Sequence, residues 1–224
     1  MMDISPLLGV EKGVTALIGG GGKTTLMYTL AEELRLRGSV IVTTSTHIRR
    51  PPQYPLLLTA EPAAVSAALA EHGVVCVAAE GPEGKLTAPA LSFDALGALA
   101  DFVLVEADGA KRLPLKAHAP HEPVIPPCAR QTIYVMGADG FGRPIRQVCH
   151  RPERYAALCG AQQDDAVTPA RQAAVLHAEG YDTACRYINK VETPQTLRQA
   201  AALAALLPAP TVAGSLWKKQ YQVL

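Results

Sequence analysis

Read from its amino terminus, the chain alternates short apolar runs with stretches whose apolar residues recur every three to four positions. The runs fall at residues 14–18, 40–44, 74–79, 102–105, 133–136 and 186–188. Such nearly continuous apolar segments predict parallel strands covered on both faces. Between the first two runs, Leu26, Leu30 and Leu34 repeat every fourth residue with Ala31 beside them, while Glu32, Glu33, Arg35 and Arg37 make the wet side. That spacing predicts a helix ended by Gly38. Pro62 opens a second helix through about residue 71, carried by Val65, Ala68 and Leu69 and broken by Gly73. Further helices are predicted over 90–100, 153–159, 169–178 and 194–207, the last opened by Pro194. Residues 1–13 read as a lead-in, 80–87 as a loop or hairpin, and the tail from Val212 as an edge strand.

Strand, helix and strand in this order predict right-handed parallel crossovers. The expected fold class is α/β, a three-layer sandwich like that of the P-loop NTPases, with a mostly parallel sheet. One domain is expected over 1–224, with proline-rich loop insertions near 47–57 and 110–130. Pro51, Pro52 and Pro55 stiffen the first insertion. The second reads as a long structured loop or lid, holding Pro114, Pro120, Pro123, Pro126 and Pro127 among Lys111, Arg112, Lys116, His118 and His121.

Composition narrows the class rather than naming it. The chain has 224 residues and a formal net charge of +1 at pH 7. Neither value asks for nucleic acid or an anionic membrane as partner. No apolar run approaches the roughly 18 residues of a membrane span, and no secretory leader is visible. A cytoplasmic location is expected, with the five cysteines mostly reduced. Cys149, His150 and Cys159 do not have a zinc-site spacing.

Four constellations carry candidate chemistry. The first is Gly19-Gly20-Gly21-Gly22-Lys23-Thr24-Thr25, set between a strand and a helix. Glycines let backbone N–H groups converge on an anion, and the first helical turn adds unpaired N–H groups. Lys23 can reach the terminal phosphates of a nucleotide, and Thr24 can take a Mg²⁺ position. The loop is compact, because the place of the usual leading glycine is taken by Leu17. The second is Glu106 with Asp108 at the end of an apolar strand, where ligands of parallel sheets gather. Glu106 is the nearer Mg²⁺ candidate; Asp108 can orient water or hold the next turn.

The third is the hydroxyl run Thr43-Thr44-Ser45-Thr46 with His47. Thr44 and Thr46 are candidate substrate or metal-water contacts, and local backbone bonds are the alternative. The fourth is Asn189-Lys190-Val191-Glu192, similar to the Asn-Lys-any-Asp sequence that reads guanine. Glu192 is one methylene longer than that aspartate, so ATP, GTP and CTP stay open, and a general base or ribose contact by Asn189 and Lys190 is the alternative. Lys111, Arg112 and Lys116 follow the acidic pair and can clamp phosphate or an acidic substrate. Arg143, Arg146, His150, Arg151 and Arg154 form a second basic run. Aromatic residues do not interleave with these runs, which argues against nucleic acid.

These motifs carry a resemblance. Residues 18–25, 43–46 and 105–112, then Leu115-Lys116, Glu122-Pro-Val-Ile-Pro126 and Asn189-Lys190, resemble the YqeC family over about residues 10 to 205. The resemblance implies an accessory protein of a selenium-dependent molybdenum hydroxylase. The resemblance implies a P-loop nucleotide-binding fold and a role in making or inserting a selenium-containing cofactor. A molybdenum hydroxylase, or its cofactor-maturation proteins, is then the implied partner. The resulting expectation is a Mg²⁺-dependent NTPase or phosphotransferase using Lys23, Glu106 and Asp108. Two alternatives stand beside it: a small-molecule kinase, and a nucleotide-gated accessory protein with little catalysis of its own. Assembly with a second copy of the chain stays open.

Overall fold

The computed structural model describes residues 3–181, 185–208 and 210–224. Its main sheet holds β1 (Gly13–Gly19), β2 (Val40–Thr44), β3 (Leu56–Leu57), β4 (Val74–Val77), β5 (Phe102–Glu106), β6 (Ala129–Gly137), β7 (Cys185–Asn189), β8 (Thr211–Ser215) and β9 (Gln220–Val223). Their spatial order is β9-β8-β7-β6-β1-β5-β2-β4-β3. Every neighbouring pair is parallel except the β8–β9 hairpin at one edge. The chain is therefore an α/β protein with a mostly parallel sheet, and β1 lies in its interior.

Alternation along the central strands assigns the two faces. Leu17, Val40, Val42, Phe102, Leu104, Ile133 and Val135 pack with Leu26, Met27, Leu30 and Leu34. Those four belong to α2 (Lys23–Leu34), which lies with α1 (Ile4–Leu7) on one side. Val14, Ile41, Val75, Val103 and Val105 face the other way, against Val65, Leu69 and Leu96 of α3 (Pro62–His72) and α4 (Phe93–Leu99). Ala16, Ile18, Tyr134, Met136 and Ile188 pack with Ile145, Tyr155, Val175, Leu176, Ala200 and Leu203. These come from α5 (Ile145–Val148), α6 (Pro152–Leu158), α7 (Pro169–Ala178) and α8 (Pro194–Ala204). A buried leucine or methionine contributes about 1.5–3 kcal/mol, so the α2 face alone anchors the first crossover firmly. The helix starts are written in sequence: Thr168 and Thr193 accept cap hydrogen bonds ahead of Pro169 and Pro194.

The irregular segments are more structured than their composition predicts. Residues 1–13 contain α1, held because Glu33 accepts hydrogen bonds from the Ile4 and Ser5 N–H groups. The proline-rich segment after β2 supplies the two-residue edge strand β3. His47–Ile48, Leu86–Thr87 and Ala79–Glu80 make a small antiparallel sheet, so the 80–87 hairpin gains a third strand. Residues 110–130 are pinned rather than free-standing. Leu115–Lys116 pairs with Cys149–His150, and Gly137 N–H donates to Pro114 O.

Candidate functional site

The four glycines leave β1 where it runs against β6. Gly19 N–H donates to Asp108 Oδ2 at 2.9 Å, Gly20 N–H to Val135 O at 2.9 Å and Gly21 N–H to Leu113 O at 3.1 Å. These donors close the loop onto its surroundings. A Cβ on Gly21 would stand 2.2 Å from Gly137 N, and its φ is +69°, so only glycine fits there. Gly22, with φ +117°, precedes α2, and no side chain caps that helix. A helix leaves its first N–H groups without intrahelical partners. Gly20 and Gly21 already have backbone partners, so the N–H groups at this helix start are those of Gly22 and the first turn, Lys23 to Thr25.

Lys23 is buried and folded back toward its own strand. Its Nζ donates to Gly19 O at 2.7 Å and lies 3.0 Å from Asp108 Oδ1 and 3.8 Å from Glu106 Oε1. Thr24 Oγ1 donates to Glu106 Oε2 at 2.6 Å. Glu106, the last residue of β5, and Asp108, two residues on, thus meet the lysine and the hydroxyl that the sequence predicts beside them. Their environments differ. Burial pushes the Glu106 carboxyl up, with Lys23 and the Thr24 hydrogen bond partly opposing it. Burial also acts on Asp108, but Lys23, the His118 hydrogen bond and Lys116 outweigh it and hold that carboxyl well below its usual range.

Asp108 sits at the hub of a buried charge network. Its Oδ2 accepts from Gly19 N–H and lies 2.7 Å from His118 Nε2 and 3.0 Å from Lys116 Nζ. Its Oδ1 accepts no hydrogen bond, although the Lys23 ammonium is at 3.0 Å. His118 Nδ1 meets Glu179 Oε2 at 2.8 Å. With a carboxylate on each nitrogen, only the imidazolium form can donate to both. Burial lowers its affinity for the proton, and the Asp108 and Glu179 hydrogen bonds more than restore it, so its pKa is raised. Lys116 Nζ also donates to Glu122 Oε2 at 2.9 Å and to Gly109 O at 2.7 Å, and Arg151 Nη1 reaches Glu122 Oε2 at 2.7 Å.

The candidate substrate contacts differ in what they touch. Lys116, a candidate substrate clamp, has a side chain with no solvent exposure and joins Asp108 to Glu122. Thr44 is also fully buried and donates to Glu106 O at 2.8 Å, while Thr46 N–H donates to Thr44 Oγ1 at 3.0 Å. The Thr44 hydroxyl thus holds the strand end by a local backbone bond, while the half-buried Thr46 hydroxyl lies 3.5 Å from that of Thr44. Lys111 and Arg112 remain exposed, both with positive φ. Asn189 is buried and reaches the glycine turn, its Nδ2 donating to Gly21 O at 2.9 Å. Lys190 Nζ pairs with Asp139 at 2.7 Å near the surface. His118 and Glu179 escaped the sequence reading as site residues. The alternation Leu115-Lys116-Ala117-His118 carries a signal for the first, since a period of two inside a loop marks a strand with a polar face.

Among the described residues no cluster of three or more His, Cys, Asp or Glu could hold a metal. A Mg²⁺ ion needs less from the protein, because it is bound through one or two carboxylates, water and substrate phosphates. The Thr24 and Glu106 oxygens, 2.6 Å apart, approach the edge of about 3 Å between neighbouring ligands of a Mg²⁺ octahedron. Those two residues fit the ion, and Asp108, fully engaged by cations, does not.

A family profile described as YqeC protein matches residues 15–153, which include the glycine turn, Glu106, Asp108, Lys116, His118 and Glu122. The chain belongs to the YqeC family. Among curated proteins it is similar to Escherichia coli (strain K12) "Uncharacterized protein YqeC", 34% identical over 169 residues, covering 70% of this chain and 65% of that one. The chain thus aligns with just under two thirds of that YqeC relative's length. Among solved structures it is similar to the signal recognition particle 54 kDa protein from Aeropyrum pernix K1 in complex with GDP. That likeness has a TM-score of 0.41 and 14% identity, over 96% of this chain and 44% of that one. No helix among the described residues of this YqeC chain is long and apolar enough to cross a membrane.

Proposed function

We propose that the chain is a P-loop NTPase-like, three-layer protein that binds a Mg²⁺–nucleoside triphosphate and acts as an NTPase or phosphotransferase. One observation carries the reading: a glycine turn and an uncapped helix start converge with a buried lysine, a threonine and a strand-end glutamate. The phosphates would lie on the Gly22–Thr25 N–H groups, where the helix dipole favours an anion. Lys23 would exchange Asp108 and Gly19 O for β and γ phosphate oxygens. Thr24 and Glu106 would hold Mg²⁺, which neutralises charge developing on the transferred phosphoryl group.

A second reading is favoured by the Asp108–His118–Glu179 chain. Moving Lys23 onto a phosphate would strip Asp108 of a partner, and His118 would pass that change to the end of α7. The protein would then be a nucleotide-gated accessory factor. The small-molecule kinase is the weaker alternative, since Lys116 is unavailable to an acceptor. A place in maturation of a selenium-dependent molybdenum hydroxylase rests on the family resemblance alone.

Calorimetric titration with ATP, GTP and CTP in Mg²⁺, for native protein and Lys23→Ala, tests the site. Native binding near a micromolar Kd, about −8 kcal/mol, with a loss of about tenfold or more in the variant, is expected. Equal affinity in both proteins refutes it. Phosphate release that rises with one small acceptor separates a phosphotransferase from a gated factor, whose partner binding follows its nucleotide instead.

A further inference from the structure

The strand ends beside the phosphate loop build a second cluster that the phosphate site does not use. β7 lies two strands from β1, so their carboxyl ends stand about 10 Å apart. A ribose bridges that gap between a phosphate and a base. Asn189 ends β7 and ties the pieces together: Nδ2 donates to Gly21 O, and Oδ1 accepts from Leu216 N–H at 3.2 Å and Tyr187 OH at 3.3 Å. Three residues on, the exposed Glu192 accepts a 2.7 Å hydrogen bond at Oε1 from Ser215 Oγ, at the end of the adjacent β8. Ser215 is itself buried, and its Oγ accepts from Lys218 N–H at 3.1 Å. The carboxylate is thus oriented by a fixed hydroxyl. Two residues past Ser215 is Trp217, the chain's one tryptophan, 89% exposed.

A lone exposed apolar side chain needs no explanation by itself. This one sits in the turn that also positions a held carboxylate and is tethered through Asn189 to the phosphate loop. We propose that Glu192, Ser215 and Trp217 form a nucleobase subsite that takes guanine. The carboxylate would accept from guanine N1–H and the N2 amino group together, and the indole would stack on the base. Adenine presents a lone pair at N1 and only C–H at C2, so the same carboxylate repels it. The proposal rests on the phosphate-site reading and adds base choice to it.

Binding of GDP, ADP and xanthosine diphosphate with Mg²⁺, by calorimetry and by the fluorescence of Trp217, decides the matter. Native protein is expected to bind GDP about tenfold or more tighter than ADP, with a change in Trp217 emission. Trp217→Ala should weaken GDP severalfold. Glu192→Gln keeps an acceptor for N1–H and gains a donor for the C2 carbonyl of xanthine. It should lose GDP affinity by about tenfold and gain affinity for xanthosine diphosphate. Equal native affinity for GDP and ADP that still depends on Lys23 overturns the guanine subsite and leaves the phosphate site standing. Glu192→Gln weakening both purines alike also overturns it. Absence of any nucleotide binding to native protein overturns both readings.

Discussion

Asp108 faces Lys23, Lys116 and His118 with no solvent to share their charge. Removing one member of a buried ionic group strands the others at a cost of about 3–5 kcal/mol. Asp108→Ala should therefore lower the urea unfolding free energy by that amount, and a loss under about 1 kcal/mol, the scale of an exposed pair, contradicts the hub. His118 gives a pH signature. Its folded pKa lies above the free value of about 6.5, so its contribution to stability is complete below that value. It is lost as pH rises through the folded value. Asp108 runs the other way: its contribution is complete above about 3.9 and is lost as pH falls toward its depressed pKa. Urea midpoints of native protein should thus fall on the alkaline side, and His118→Gln should be less stable but lack that fall. Parallel profiles for the two proteins contradict an ionised His118.

The glycine turn and the 110–130 segment make one element pair, because Gly21 donates to Leu113 and Gly137 donates to Pro114. Gly21→Ala would force a left-handed backbone, about 1–2 kcal/mol, and a Cβ into Gly137 N at 2.2 Å. That variant should lose nucleotide binding along with stability, whereas Gly84→Ala, whose Cβ meets nothing within 4 Å, should cost only the backbone term. Similar losses at both positions contradict the close approach. The β1–loop–α2 unit was legible in sequence because strand run, glycines and Leu26/Leu30/Leu34 periodicity are all local signals. The partners of Asp108 were not. Lys116, His118 and Glu179 are joined to it by chain reversal, and proline-rich composition masked the short pairing of Leu115–Lys116 with Cys149–His150. Hydrogen exchange checks this wall: the Ala117 amide, bonded to His150 O, should exchange slowly without nucleotide. Fast exchange there would make the segment a mobile lid.

Across the whole molecule, the parallel strand ends from β5 through β1 to β7 and β8 lie along one edge of the sheet. Glu106, the glycine turn, Asn189 and Ser215 occupy them in turn. The alternating apolar runs specified that sheet, since each buried run has one way to present both faces. Strand order and the β3 edge depended on contacts far apart in sequence. So did the commitment of Lys23 to Asp108, which turns nucleotide binding into an exchange of partners rather than an addition. The measurement that meets this claim most directly is a crystal structure with Mg²⁺ and a non-hydrolysable triphosphate. The phosphates should lie on the Gly22–Thr25 N–H groups with Lys23 Nζ moved from Asp108 onto them and Mg²⁺ between Thr24 and Glu106. A nucleotide lodged instead in the groove lined by Tyr28, Glu32 and Tyr221, with Lys23 still on Asp108, would contradict it.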